Sequence, residues 1–475
     1  MGITVGPIIG HTTHNSSKIW IRGEEGKNND TGKYCYGAID LYSISSQGPQ
    51  HLNSYFFHLK DYYDFTGALS INGLMSDTKY ELHCGTQYFN KNNTPQLNIP
   101  LSHPINTNGK YVSTTFRTAR ESNNNDKLRF AFGSCRYFYW DNLIHSDAEK
   151  GDKTFKSILS HHTDESPLDL VLMLGDQVYA DPLNIFLQYE NLPKLFELYQ
   201  NSFSLPNIRK LMSQVSTYMI LDDHEIKNNW SKDQMNKANQ GLYTNAMSAY
   251  SSYQHLHNPD TPNGQYWYTF KRGSFPFFVM DTRTQRINEP KGISTKTMLG
   301  REQLNYFLEW LHQNKESPYL FAATSVPFFP DTKNEDDKWA SFVEERSIIL
   351  EFIRLEKIYN LIFLCGDVHN SSFARMSCYQ DPSFKLISLV SSPFYWPYPH
   401  TSGSDFYNGR TLEFMQWADS NRRFRDRIEY RYEANGFISE ESYILVEINL
   451  NNKNKSGSAK IFNRKGRQTP GALMF

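Results

Sequence analysis

Charged and reactive side chains follow directly after several apolar segments in the middle of this sequence. The apolar run 170–174, for example, leads straight into Gly175 and Asp176. A buried carboxylate is costly unless it is solvated, paired or bound to a metal. Five apolar segments end in this way, at Cys135, at Asp176, at the run Asp222, Asp223, His224 and Glu225, at Asp281 with Arg283, and at Asp367 with His369. Because the carboxyl ends of strands line the ligand crevice in open α/β sheets, the five endings predict one shared site.

Each of these residues also has an ordinary structural explanation. A cysteine after a strand is usually buried, an aspartate after a glycine usually belongs to a turn, and the segment 281–283 usually forms an internal ion pair. As a set, however, carboxylates that converge with a histidine and a thiol repel one another unless cations lie among them. The set therefore predicts a two-metal site, and such sites are suited to in-line displacement at phosphorus.

Two kinds of sequence pattern must position these residues. Residues 1 to about 120 contain short apolar and aromatic runs between turn-forming residues, which predicts a β-sandwich of the immunoglobulin or fibronectin kind. Later in the chain, apolar strands alternate with helical patterns. This predicts an α/β (α+β) domain with a mixed sheet, or with two sheets packed face to face between helices. We therefore expect an N-terminal β-sandwich domain over residues 1–120 and a catalytic domain over residues 121–475.

Two local patterns are specific enough to predict individual contacts. Leu304, Phe307, Leu308 and Leu311 recur at the spacing of one helical face. Tyr80 is placed like the tyrosine of the tyrosine corner in immunoglobulin-type sandwiches.

Composition narrows the class of protein further. The 475-residue chain has a formal net charge of -1, so we expect no general nucleic-acid binding. Five scattered cysteines without a CxxC pair predict free thiols and a reducing compartment. No apolar run approaches the ~20 residues that span a bilayer, and the first residues lack the features of a signal peptide. We expect no transmembrane segment, and either a cytoplasmic location or secretion by a route without an N-terminal signal peptide.

Six motifs occur in a fixed order between about residue 135 and residue 370. In the letters of this sequence they read GSC, GDQVYAD, LDDHEIKNNW, DTR, MLGREQL and GDVH. The series resembles the alkaline phosphatase D-type (PhoD-like) phosphatases and phosphodiesterases of the calcineurin-like metallophosphoesterase superfamily. The resemblance implies metal-dependent hydrolysis of phosphoric esters, by attack of a metal-bound hydroxide or oxygen on phosphorus. It also implies a sandwich of two mixed β-sheets flanked by helices.

The same resemblance implies a set of metal ligands. Asp176 would bridge two metal ions. The other ligands would be Cys135, Tyr179 and His369 for one ion, and Asp223 and Asp367 for the second. Asn229 and Asn245 are further candidates for an amide ligand.

The chemistry of these side chains agrees with that set. Asp176 and Tyr179 are three residues apart, so one helical turn brings them to the same face. Phenolate and thiolate are hard to form near neutral pH without a strong Lewis acid, which favours Fe³⁺ over Mg²⁺. Carboxylate and amide oxygens suit a hard divalent ion such as Ca²⁺. We therefore expect Fe³⁺ and Ca²⁺, with manganese, zinc and magnesium as alternatives.

Three further side chains near the predicted ligands are given roles in catalysis, substrate binding or structural support. His224 follows the ligand Asp223 and is predicted to protonate the leaving oxygen or to hold the phosphate. Arg136 follows Cys135 and is predicted either to bind a substrate oxygen by a bidentate contact or to be structural. Arg283 is assigned mainly to a structural role behind the ligands.

Two functions remain open at this point. The first is a phosphoric ester hydrolase whose substrate is a phosphodiester, a phosphomonoester or both. The aromatic runs 136–142 and 391–400 either wall its pocket against a lipid, nucleoside or aryl group or simply pack in the core. The second is an interaction or binding protein on a phosphatase scaffold with reduced or lost catalysis. The first is favoured because the aligned metal positions are all filled by competent residues.

Overall fold

Seven antiparallel strands build the N-terminal part of the chain. The computed structural model describes residues 2–24, 33–105, 110–122, 127–137, 148–181, 188–290, 296–333, 337–417, 424–451 and 457–475. The seven strands are β1 (Val5–Thr12), β2 (Ser16–Arg22), β3 (Lys33–Ser45), β4 (Gly48–His58), β5 (Thr66–Asn72), β6 (Lys79–Asn90) and β7 (Tyr111–Arg117). One sheet has the order β1-β2-β5 and the other has the order β4-β3-β6-β7.

The two N-terminal sheets enclose a hydrophobic core of their own. Ile9 of the three-stranded sheet packs in one cluster with Ile39 of the four-stranded sheet. The Tyr80 hydroxyl accepts a hydrogen bond from the backbone N–H of Met75 at 2.8 Å, as the pattern of a tyrosine corner predicts. The β1 residue Val5 instead belongs to the large cluster formed by the later part of the chain. The division at residue 120 into two domains therefore stays a prediction.

Six helices and fourteen further strands follow within the described residues. The helices are α1 (Ala148–Ser160), α2 (Leu192–Phe203), α3 (Pro206–Gln214), α4 (Gln240–Tyr250), α5 (Gly300–Asn314) and α6 (Val343–Leu355). The strands are β8 (Lys127–Gly133), β9 (Leu170–Leu174), β10 (Thr217–Ile220), β11 (Tyr268–Arg272), β12 (Phe275–Val279), β13 (Leu320–Thr324), β14 (Leu361–Cys365), β15 (Ser371–Cys378), β16 (Leu386–Val390), β17 (Thr411–Trp417), β18 (Phe424–Ile438), β19 (Ser442–Asn449), β20 (Gly457–Asn463) and β21 (Gln468–Met474).

These strands form two mixed sheets that pack face to face. The orders are β10-β9-β8-β19-β20-β21 and β11-β12-β13-β14-β16-β15-β18-β17. Phe130 of β8 packs on Phe277 and Phe321 of the opposite sheet, with ring centroids 5.6 and 5.2 Å apart. The alternate residue Phe278 faces the other way, into a second cluster that also holds Phe307 of α5 and side chains of α6. The predicted sandwich of two mixed sheets flanked by helices is confirmed.

The local predictions agree with this architecture in most places. Phe307 and Leu311 are fully buried, and Leu304 and Leu308 pack against the same cluster from partly buried positions. The strands β15, β17, β18 and β21 were not predicted. β15 and β17 each hold one charged residue and β18 holds several, whereas β21 holds no charged residue but contains a proline and a glycine, which weaken a strand pattern. Among the described residues, no helix is long and apolar enough to cross a membrane.

Asp64 joins the N-terminal sheets to the helical part of the chain. Its carboxylate accepts hydrogen bonds from the Arg22 guanidinium at 2.9 and 2.7 Å, from Gln200 Nε2 at 2.8 Å, and from the Tyr253 hydroxyl. The side chains of Arg22 and Asp64 are only 10% and 11% exposed. Asp64 therefore compensates a buried cation and anchors two later segments at the same time.

We predict that Asp64→Ala lowers the free energy of unfolding by about 3 kcal/mol, because it leaves the buried Arg22 guanidinium without its partner. Urea denaturation measures the change. The matched control is Glu197→Ala, which removes an exposed ion pair with Lys194 and should cost less than about 0.5 kcal/mol. Equal losses in the two variants would contradict the anchoring role.

Candidate metal centre

The ends of β8, β9, β10 and β14 meet at one edge of the sandwich. The backbone N–H of Cys135, after β8, donates to the carbonyl of Gly175, after β9, at 3.2 Å. A Cβ on Gly175 would lie 2.4 Å from the Cβ of Asp222, which follows β10. A Cβ on Gly366, after β14, would lie 2.5 Å from Ser134 Oγ. The glycines therefore allow the four strand ends to approach more closely than any side chain would permit.

Four aspartates converge where these ends meet. Asp176, Asp222, Asp223 and Asp367 each bring a carboxylate oxygen to within 4.8 Å of the others, and the first three are buried. Burial raises the pKa of Asp222 to about 7, and burial together with neighbouring carboxylates also raises the pKa of Asp176. Among the described residues, Asp222 Oδ2 has no hydrogen-bond partner. Cations among these oxygens would reduce the repulsion between the carboxylates and would give Asp222 Oδ2 a bonding partner. The set of donor atoms therefore fits metal binding.

A thiol, a phenol and an imidazole adjoin the aspartates. Cys135 Sγ lies 3.3 Å from Asp176 Oδ2, and the Tyr179 hydroxyl lies 3.4 Å from the same oxygen. Burial, and then the charge of Asp176, raises the pKa of both Cys135 and Tyr179. Both groups therefore stay protonated unless a strong Lewis acid binds them. Burial lowers the pKa of His369 to about 3, so its imidazole is neutral, as a metal ligand must be.

The backbone at these positions is held in an unusual conformation. Five residues of the centre have φ between +49° and +70°, namely Cys135, Asp176, Asn229, Asp367 and His369. Such left-handed residues are uncommon outside glycine. Each costs about 1–3 kcal/mol, and they concentrate at functional sites.

His224 is oriented by the carboxylate of Asp181, a residue that the sequence pattern did not assign to the site. Its Nδ1 lies 2.6 Å from Asp181 Oδ1, and Asp181 Oδ2 accepts the backbone N–H of Asn228 at 2.6 Å. Burial disfavours charge on the imidazole, but Asp223, Asp181 and Asp176 outweigh it and raise the pKa of His224. Since Asp181 binds Nδ1, the other ring nitrogen, Nε2, is left for the cleft.

Arg283 lies behind the aspartates, in the structural role predicted for it. Its guanidinium binds Asp222, lies 3.3 Å from Asp223 Oδ1 and forms two parallel bonds to Asp337 at 2.8 and 2.7 Å. Arg286 contacts the same Asp337 carboxylate. Asp337 was not predicted as part of the site, because its role of holding the arginines in place depends on partners far away in the chain. Arg283 offsets part of the negative charge and stays fully buried.

Glu225 braces the loops that carry the ligands. Its carboxylate accepts the backbone N–H groups of Asp176, Gln177 and Asp222 at 3.0, 2.7 and 2.8 Å. Gln254 Nε2 adds a fourth bond at 2.9 Å. One buried side chain thus fixes the loop after β9 to the loop after β10.

Two predicted site residues do not join the centre. Arg136 is fully buried, and its guanidinium donates to the carbonyls of Ser202 and Gln177 at 2.7 and 3.3 Å, between the rings of Phe155 and Phe203. The bidentate contact predicted between Arg136 and substrate is therefore wrong, because apolar surroundings and backbone carbonyls hold the side chain in the core.

Of the two asparagines predicted as amide ligands, Asn229 lies at the cleft and Asn245 does not. Asn245 lies on α4, and its Nδ2 donates to the Glu190 carbonyl at 2.7 Å, so it is not brought to the aspartates. Asn229 lies at the cleft, and its backbone N–H donates to Asp223 Oδ2 at 2.5 Å.

The centre opens into a cleft of about 420 Å³. It is lined by Asp176, Asp223, His224, Asn228, Asn229, Thr332, Lys338, Asp367, Val368, His369, Trp396, Thr401 and Asp405. Trp396, from the second aromatic run, packs on His369 with ring centroids 3.8 Å apart. In the first aromatic run, residues 138–142 lie outside the described residues. Among the described residues, the cleft therefore has one flat aromatic surface, Trp396, beside walls that are polar except at Val368.

Comparison with known proteins assigns the family. Residues 130–395 match the PhoD-like phosphatase family. The chain belongs to this family. The match covers more than half of this PhoD-like chain and includes every residue of the centre, from Cys135 to His369.

Individual relatives agree with the assignment. The PhoD-like chain is 25% identical over 291 residues to alkaline phosphatase D of Bacillus subtilis (strain 168), which is 52% of this chain and 46% of that protein. The match therefore spans about half the length of this relative. The solved structure of PhoD has a TM-score of 0.68 at 17% identity and covers 100% of this chain and 89% of that one. Purple acid phosphatase PPD1 from yellow lupin (Lupinus luteus) seeds has a TM-score of 0.59 at 12% identity, over 98% and 73%. These two likenesses show the fold.

We predict that chelation lowers the melting temperature of the wild-type chain and that added Ca²⁺ with Fe³⁺ restores it by about 3 °C or more, because the ions bind only the folded arrangement of carboxylates. Differential scanning fluorimetry measures the shift. In Asp176→Asn the shift should be largely lost.

The control for this prediction is Glu225→Gln. Because Glu225 holds backbone groups rather than a metal, this variant should melt lower than wild type with and without metal, and should keep most of the metal-induced shift. If Asp176→Asn kept the full metal-induced shift in melting temperature, Asp176 would not be a metal ligand.

Proposed function

We propose that this chain hydrolyses phosphoric esters with the help of bound metal ions. The observation that carries the proposal is the convergence of four aspartates with a thiol, a phenol and two histidines at one cleft. Membership of the PhoD-like phosphatase family supports the same reaction class.

The donor set divides between two kinds of ion. We assign an Fe³⁺-type ion to Cys135, Asp176, Tyr179 and His369. The thiol and the phenol call for a strong Lewis acid, since burial raises the pKa of each. Asp223 and Asp367 would hold a Ca²⁺-type ion, and Asp176 would be available to both ions, because carboxylate oxygens suit a hard divalent cation. Manganese, zinc and magnesium are the alternatives, and the side-chain amide of Asn229 is a candidate extra ligand.

The chain's own residues supply proton transfer and positioning. Metal ions held there would polarise the phosphoryl oxygens and lower the pKa of a bound water. His224 is positioned to donate a proton from Nε2 to the leaving oxygen, and Asp181 holds the ring in that orientation through Nδ1. Arg283 and Glu225 keep the aspartates in place before substrate arrives.

The size and surface of the cleft support a small to medium ester. A volume of about 420 Å³ falls within the range of about 300–1,000 Å³ that is usual for small-molecule sites. Trp396 offers a flat apolar surface for an alcohol group, and the polar walls suit the phosphoryl group. Both phosphodiesters and phosphomonoesters are proposed substrates.

The state of the cysteine thiols is evidence about the cellular compartment of the protein. All five cysteines are buried and free, which supports a reducing compartment such as the cytoplasm. Secretion stays the alternative.

Hydrolysis of bis(p-nitrophenyl) phosphate and p-nitrophenyl phosphate tests the proposal. We predict turnover by wild type loaded with iron and calcium, and a loss of about 10²-fold or more in kcat/KM for Asp176→Asn, because the bridging ligand is lost. The control Asp164→Asn changes an exposed carboxylate paired with Lys79 and should retain full activity. The ratio of the two rates separates diesterase from monoesterase. Protein that holds its metals and hydrolyses neither ester would favour the binding-protein alternative.

Visible absorption tests the assignment of iron. A phenolate bound to Fe³⁺ gives a charge-transfer band, so we predict that Tyr179→Phe weakens and shifts the band of the iron-loaded protein. The matched control is Tyr398→Phe, since Tyr398 is 42% exposed; it should leave the band unchanged. An iron-loaded wild type with no visible band would contradict the assignment of Tyr179 as an Fe³⁺ ligand.

A further inference from the structure

Lys338 places a positive charge at the open side of the aspartate cluster. It is the only lysine or arginine among the described residues that line the cleft. Its Nζ contacts Asp367 Oδ2, and both side chains are 15% exposed. The same Nζ lies 3.9 Å from Asp337 Oδ2. Neither the motifs of the sequence nor the proposed ligand set accounts for this lysine.

The residues on either side fix the position of Lys338. Asp337 is held by two parallel bonds from Arg283. Trp339 is fully buried, and its Nε1 donates to Thr324 Oγ1 at 3.1 Å. The anchored neighbours hold the backbone of Lys338, so its ammonium can leave the cluster only by rotation about the bonds of its own side chain.

Asp367 is likewise held in place. Its backbone N–H donates to Ser134 Oγ at 2.9 Å, and Cys135 Sγ lies 3.5 Å from its carbonyl oxygen. The oxygens of its carboxylate therefore face a limited space, which also contains the nearest oxygens of Asp176, Asp222 and Asp223. A divalent cation bound by these carboxylates would lie close to the Lys338 ammonium.

We propose that Lys338 and a divalent cation compete for Asp367, so that this lysine sets the affinity of the outer, Ca²⁺-type position. The ammonium already neutralises the carboxylate that the cation would use, and the two positive charges repel each other at short range. The lysine thereby keeps the outer position weak and exchangeable, whereas the Cys135 side of the centre is not affected in this way. The inference rests on the metal sites of the proposed function but not on the reaction itself.

Calcium binding to the metal-stripped 475-residue chain tests the competition. Isothermal titration calorimetry would compare wild type, Lys338→Met and Lys333→Met. Lys333 is an exposed lysine outside the cleft lining, so its variant controls for loss of one positive charge in this region. We expect Lys338→Met to bind Ca²⁺ about tenfold more tightly or better, since removing a charge so close exceeds the ~1.4 kcal/mol that corresponds to tenfold. We expect Lys333→Met to differ from wild type by less than about twofold.

A second pair of variants separates competition from a general electrostatic effect. In the Asp367→Asn background, Lys338→Met should increase Ca²⁺ affinity much less than in the wild-type background, because the contested carboxylate is absent and only the repulsion between the two positive charges remains. Equal or weaker Ca²⁺ binding by Lys338→Met than by wild type, or a full gain that persists without Asp367, would overturn the proposal. Lys338→Gln serves if Lys338→Met does not fold, as judged by circular dichroism and melting temperature. Since the readout is calcium affinity, a chain that fails to hydrolyse esters would overturn the proposed function and leave this result standing.

Discussion

Four carboxylates held within 4.8 Å of one another in a buried setting repel strongly, and most of the surrounding structure acts against that repulsion. Arg283 approaches two of them from behind and is itself held by Asp337. Lys338 contacts a third carboxylate from the open side. The remaining excess of negative charge is what makes the cleft attractive to cations, because a donor set that was already neutral would gain little from a metal.

A rigid frame is the second requirement, since repelling groups move apart unless the backbone prevents it. Glu225 provides part of that frame by binding backbone groups after two different strands. Gly175 and Gly366 provide another part, because the strand ends touch where a side chain would otherwise stand. The sandwich behind them is filled by phenylalanines in edge-to-face contact, so the frame has a close-packed support.

The sequence predicted the parts of the centre that depend on local pattern. An apolar run that ends in Asp176 is visible without any knowledge of the fold, and the same holds for Asp223, Asp367 and His369. Asp337 and Lys338 were missed because their roles come from partners far away in the chain. For Arg136 the sequence left a substrate contact and a structural role open, because a position beside Cys135 does not show which way the side chain turns, and the structure agrees with the structural role. The strand β18 was missed although Ile428, Tyr430 and Tyr432 are buried and alternate with charged residues in the period of two that indicates a half-buried strand.

The left-handed backbone of the centre limits which amino acids evolution or a mutant library can try there. Aspartate, asparagine and histidine tolerate positive φ far better than branched or bulky residues do. These are also the side chains that supply oxygen and nitrogen ligands. At positions 176, 229, 367 and 369, the amino acids that the backbone conformation tolerates are therefore largely the same ones that can bind a metal ion. Substitutions that keep the backbone conformation at these positions are therefore confined mostly to side chains that carry oxygen or nitrogen donors.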